Sequence, residues 1–160
     1  TDWVIETISK SDGKYCLEVT ETAVIDDPQQ ALANIDKLRK AGIEISIDDY
    51  GAGLSSLSYL KQIPAHELKI DKAFVLSMQE GSSDALLVKS TIDLAHSLGL
   101  RVVAEGVETT EVLSLLAIMG ADVAQGYYIS RPLKPADLET FLRAEAVRLT
   151  ETDPKPAKEA

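Results

Sequence analysis

The chain has 160 residues, enough for one well-cored domain and short for two. Apolar residues make up 45% and charged residues 26%, an ordinary globular balance, and the formal net charge of −10 argues against binding DNA or RNA through a broad basic surface. That charge leaves room for a small anionic ligand, because bound metal ions reverse the local sign of a site. The single cysteine, Cys16, has no intrachain partner and is expected to be a small buried packing residue in a reducing compartment. No apolar run approaches the roughly 18 residues of a membrane span, and no signal-peptide pattern opens the chain. The expected location is cytoplasmic. The opening Thr1-Asp2-Trp3-Val4-Ile5 lacks an initiator methionine and reads as the middle of something longer.

In chain order, residues 2–9 predict a short helix with Trp3, Ile5 and Ile8 apolar, and Asp12-Gly13 a turn. Residues 15–19 predict a strand with Leu17 and Val19 on one face and Glu18 on the other. Asp27-Pro28-Gln29-Gln30 is a helix start, with an acceptor at the N-cap and proline at the first helical position. Leu32, Ile35 and Leu38 continue it at helical spacing, and Gly42 suits its C-terminal cap. In 43–48, Ile43, Ile45 and Ile47 alternate with Glu44, Ser46 and Asp48, which predicts a strand ending in Asp48, with Asp49 where strand becomes loop. Gly51 and Gly53 punctuate that loop with backbone freedom. A short helix through Leu57 and Leu60 then has to end near Pro64.

Residues 67–70 predict a further strand, with Lys69 pointing opposite to Leu68 and Ile70. A helix over 83–98 is expected to bury Leu87, Thr91, Leu94, Ala95 and Leu98. A strand over 100–104 delivers Glu105 at its end. A helix over 110–119 is expected to bury Val112, Leu115, Leu116 and Met119. Residues 122–125 form a last short strand, and a helix over 135–149 is expected to bury Leu138, Phe141 and Leu142. The domain is thus read as 1–149, with 150–160 a disordered tail.

Alternating strands and helices imply a parallel sheet, either an open doubly wound sheet or a barrel. There is no Gly-x-Gly-x-x-Gly fingerprint after the first strand, which weakens the dinucleotide-binding option. Glu18, Asp48, Lys69, Glu105 and Gln125 all fall at or near the C-terminal ends of five successive strands. In a barrel these five polar residues converge on one rim, where the active sites of such barrels sit. The fold class read from the sequence is therefore α/β, an incomplete (β/α)8 TIM-like barrel of about five parallel strands with covering helices.

Four carboxylates, Glu18, Asp48, Asp49 and Glu105, and one amine, Lys69, would share that rim. For a lone Asp-Asp pair the alternatives are solvating a loop or capping the next helix. Taken together, the oxygen-rich set suits Mg²⁺ or Mn²⁺, and several carboxylates without much histidine suggest a two-metal site for metal-assisted hydrolysis. Lys69 could orient a water or neutralise developing charge. A Schiff-base role is opposed by the carboxylates, which keep the amine protonated. His66 and His96 are read as structural. An enolate-stabilising barrel enzyme with carboxylate-bound Mg²⁺ and a lysine base is the other catalytic option.

Several segments resemble the serial motifs of the EAL-domain family: Glu18-Val19-Thr20-Glu21, Asp48-Asp49-Tyr50-Gly51-Ala52-Gly53-Leu54-Ser55-Ser56-Leu57, Leu68-Lys69-Ile70-Asp71 and Ala104-Glu105-Gly106-Val107-Glu108-Thr109. Gln125-Gly126-Tyr127 followed by Ser130-Arg131-Pro132-Leu133 extends the likeness. The family comprises bacterial cyclic di-GMP phosphodiesterases that linearise the dinucleotide to pGpG. The resemblance implies Glu18, Asp48 and Glu105 as metal ligands, Asp49 on a second metal, and Lys69 holding the attacking water. Asp49, Lys69 and Glu105 thus form the implied catalytic set, Glu105 also being considered a general base in this family. Glu21 would tether the loop 50–56, which includes Gly51, Gly53 and Ser55. Glu108 and Gln125 would support the site, and Arg131 lies in a motif near the substrate rim. Implied partners are cyclic di-GMP, a homodimer mate or another completing chain, and sensory or GGDEF-type domains in the parent protein.

Tyr50, Ala52 and Leu54 replace residues that are often Phe, Thr and Tyr in the family loop. The naming Glu-Ala-Leu motif, with its metal-binding Glu and its Arg, and the family's metal-binding Asn are missing from the sequence. Glu145-Ala146-Val147 falls in the final helix and does not replace the motif. The expectation is the C-terminal two-thirds of an EAL domain, poorly active or inactive alone. The competing reading is a degenerate scaffold that binds nucleotide or protein without cleaving it.

Overall fold

The computed structural model describes residues 1–51 and 60–152, apart from the side chains of Glu21, Ile25, Asp26 and 147–152. The expected helix through Leu57 falls largely in 52–59, and most of the expected tail in 153–160; both lie outside the described residues. The chain divides into two compact units, Thr1–Ile129 and Ser130–Ala160.

The first unit opens with α1 (Asp2–Ile8), β1 (Cys16–Thr20), α2 (Glu21–Asp26) and α3 (Pro28–Lys40). It continues through β2 (Glu44–Tyr50), β3 (Glu67–Ile70), α4 (Lys72–Leu76), α5 (Ser83–Ser97), β4 (Arg101–Glu105), α6 (Thr110–Met119) and β5 (Val123–Gln125). The second unit holds α7 (Pro135–Thr152). Helix starts follow capping chemistry: the Asp27 carboxylate accepts from the Gln30 N–H at 3.1 Å with Pro28 behind it, and Ser82 and Thr109 cap α5 and α6. Helices α2 and α4 were not foreseen, because each is too short to show a helical period. Their caps, Thr20 and Asp71, were the readable signal.

Among the described residues the five strands are all parallel, in the order β1-β2-β3-β4-β5. Ile45, Ser46 and Ile47 are buried in succession, as expected of a parallel strand covered on both faces. The apolar face of the sheet meets the helices: Leu68, Val102 and Ala104 are fully buried along with Ile92 and Ala95 of α5. On the other face, the Ser46 hydroxyl donates to Glu67 Oε1 at 3.1 Å, and Arg101 donates two hydrogen bonds to Glu67 Oε2. These residues are register partners across β2, β3 and β4, so the polar layer locks the strand alignment.

Three packing expectations are corrected. Cys16 is exposed rather than buried, because β1 ends the strand order and Cys16 shares a face with Glu18 rather than with Leu17. Helix α5 turns Ala85, Val88, Ile92 and Ala95 to the core and leaves Leu87 52% exposed; the two alanines allow close approach to the sheet. In α7, Leu138 and Leu142 are exposed. Among the described residues no helix is long and apolar enough to cross a membrane.

Candidate metal centre

The C-terminal ends of β1 to β4 bring Glu18, Asp48, Lys69 and Glu105 together. The Lys69 ammonium donates to Glu18 Oε1 at 2.7 Å and lies 3.1 Å from Asp48 Oδ1 and 2.8 Å from Glu105 Oε1. Its side chain is 6% exposed, against 19% for Asp48, 18% for Glu105 and 54% for Glu18. Burial alone would lower the lysine pKa. The hydrogen bonds to Glu105, Glu18 and Asp48 outweigh it and hold the ammonium well above the ordinary lysine range. The same three carboxylates favour the ammonium form and oppose a role for Lys69 as a neutral amine nucleophile.

Asp49 joins the group by a backbone departure. Consecutive strand residues normally point to opposite faces. Asp49 has φ 55°, in the left-handed region, and the β2–β3 register shifts between Ile47 and Tyr50. Asp48, Asp49 and Glu105 thereby each place one carboxylate oxygen within 4.8 Å of the others. Partial desolvation, the Asp48 charge and a side-chain hydrogen bond to Asp71 raise the Asp49 pKa from its ordinary value. Three close carboxylates beside a buried ammonium form an all-oxygen donor set, which fits a hard divalent cation.

Glu108 and Gln125 line a neighbouring cavity of about 300 Å³ with Glu105, Gly126, Tyr127 and Lys72. Gly51 sits at φ 101° just past β2, where a Cβ would meet the Phe74 ring at 2.9 Å. Arg131 belongs to the second unit. Gly53, Ser55 and the Glu21 side chain lie outside the described residues, and Glu21 opens α2. Asp71 was missed as a site residue: its carboxylate caps α4 through the Ala73 N–H and also meets Asp49. Its place one residue beyond β3, two after Lys69, was the available signal. Both histidines lie elsewhere. His66 Nδ1 accepts from the Ile45 N–H at 3.1 Å, and His96 Nε2 pairs with Asp122 at 2.8 Å.

Residues 1–132 match the family model of the EAL domain. The cyclic di-GMP phosphodiesterase NbdA of Pseudomonas aeruginosa is 43% identical over 128 residues, 80% of this chain and 16% of NbdA. The EAL domain of Mycobacterium smegmatis DcpA is 35% identical with a TM-score of 0.81, covering 89% of this chain and 66% of that one. Klebsiella pneumoniae BlrP1, solved as a manganese and cyclic di-GMP complex, is 34% identical with a TM-score of 0.76 and is covered over 34% of its chain, with 82% of this one. The chain spans only 16% to 26% of the length of the curated relatives it matches.

Proposed function

Because the chain belongs to the EAL-domain family, we propose that its strand-end centre is a phosphodiesterase site that linearises cyclic di-GMP to pGpG with two Mg²⁺ or Mn²⁺ ions. The observation that carries this reading is the convergence of Glu18, Asp48 and Glu105 on the buried Lys69, with the Asp49 carboxylate beside those of Asp48 and Glu105. The cations would be held by those four carboxylates. Bound there, they would supply Lewis acidity and lower the pKa of a coordinated water to near neutrality.

The chain's own side chains account for the remaining steps. Lys69, held as an ammonium by its carboxylate partners, holds a water or the phosphoryl oxygens by hydrogen bonding and neutralises negative charge as it develops. Glu105, only 18% exposed, stands beside Lys69 and can accept the proton of the attacking water. Glu108 and Gln125 present polar atoms to the adjoining cavity, where they can orient the nucleotide. The reading assigns residues 1–149 to the EAL module, in the cytoplasm. It also expects a second copy or completing chain against the module. A sensory or GGDEF-type domain in the same protein is supported by the small share of each relative that the chain spans.

The test is cyclic di-GMP hydrolysis with Mn²⁺ in the intact protein, beside calorimetric binding with Ca²⁺. Turnover to pGpG that falls at least about a hundredfold in Glu105→Gln and Lys69→Ala supports the reading. Binding without turnover supports a nucleotide receptor instead, and absence of both contradicts any cyclic di-GMP role.

A further inference from the structure

Of Asp48, Asp49 and Glu105, whose carboxylate oxygens lie within 4.8 Å of one another, two already pair with Lys69. Asp48 and Glu105 each pair with Lys69, and Glu18 is the third partner, while among the described pairs Asp49 has no contact with that ammonium. A divalent cation approaching from the exposed Asp49 side would therefore share Asp48 and Glu105 with a buried positive charge. Without any cation, three carboxylates this close would repel one another in a part-buried site, so something has to compensate them.

We propose that Lys69 is the resident counter-ion of the metal centre, holding Glu18, Asp48 and Glu105 together when no divalent cation is present and competing with that cation for Asp48 and Glu105. The proposal rests on the metal site of the preceding reading but not on its substrate. It makes Lys69 a positioning residue for the metal-free state and a brake on metal affinity. An ordinary supporting residue around a metal acts in the opposite sense, since removing one weakens metal binding by about 10–100-fold.

The sign of the affinity change decides between these roles. In Lys69→Met, calorimetry should show Mn²⁺ binding about tenfold tighter or more than in the wild type. The metal-free variant should melt at least about 5 °C lower, with Mn²⁺ restoring the loss. If Lys69→Met folds only with Mn²⁺, that rescue also supports the counter-ion role. The double variant Glu18→Gln/Lys69→Met removes one charge of each sign and stays closer to balance. It should bind Mn²⁺ more tightly than Glu18→Gln alone. Mn²⁺ binding that weakens or stays unchanged on loss of Lys69, or an unchanged metal-free melting temperature, overturns the counter-ion role and leaves the metal site standing. Mn²⁺ binding to neither the wild type nor any variant overturns both.

Discussion

Adjacent residues of a pleated strand face opposite ways, so Asp48 and Asp49 can serve one site only because the backbone between them breaks the pleat. Asp49 pays that cost at φ 55°, a conformation that asparagine tolerates as well as any residue with a side chain. Asp49→Asn is expected to keep the backbone and to relieve repulsion from Asp48, Asp71 and Glu105. The metal-free chain should be equally stable or slightly more stable, while Mn²⁺ affinity falls at least about tenfold. Thermal melts and calorimetry on the same preparation check both halves, and retained affinity would remove Asp49 from the ligand set. Alternation along the strands made the positions of Glu18, Asp48, Lys69 and Glu105 legible in the sequence. It could not show that Asp49 turns back beside Asp48, nor that Asp71 reaches Asp49, because both depend on a local backbone departure and a register shift.

At the level of elements, the turn after β5 depends on Gly126, where an added Cβ would overlap the Val107 carbonyl oxygen and nitrogen. Both are backbone atoms, already engaged as the Val107 N–H donates to the Gln125 carbonyl and the Tyr128 N–H to the Val107 carbonyl. Gly126→Ala should therefore cost about 3 kcal/mol or more, read by chemical denaturation, and displace Gln125 and Tyr127 from their cavity. A second element-scale device joins α5 to the start of β5. The Asp122 carboxylate accepts from His96 and from the Val102 N–H at 2.8 Å each. The His96 hydrogen bond, helped by the Val102 amide, overcomes partial desolvation and lowers the Asp122 pKa. A depressed carboxylate contributes stability that is present above its unfolded pKa, about 3.9, and is lost as pH falls through the folded value. Asp122→Asn should flatten the acid limb of the stability curve in that range, and an acid limb identical to that of the wild type would contradict the linkage. Strand existence was readable here from alternation and turn residues. The facing of α5 was not, since leucine stripes and the Ala85-Val88-Ile92-Ala95 stripe share one period, and close packing on the sheet selects the slimmer side.

For the whole molecule, parallel topology explains why the centre exists. Four parallel strands end at one edge of the sheet, and their polar side chains meet without any long-range sequence motif having to specify the contact. The exposure of Cys16 was not legible, because burial of an end strand depends on its neighbours rather than on its own residues. The net charge of −10 sets an electrostatic problem for the proposed substrate: a nucleotide phosphodiester would meet an acidic protein whose central lysine is already shared among three carboxylates. Divalent cations held at the same carboxylates would resolve that conflict by inverting the local charge.

The most direct test of this account is anomalous diffraction from crystals soaked in Mn²⁺ and Ca²⁺. A manganese peak coordinated by Asp48, Asp49 and Glu105 is expected, weakened or lost in Glu105→Gln. Density for manganese only at surface carboxylates, with the strand-end cluster still bridged by Lys69 alone, would contradict it.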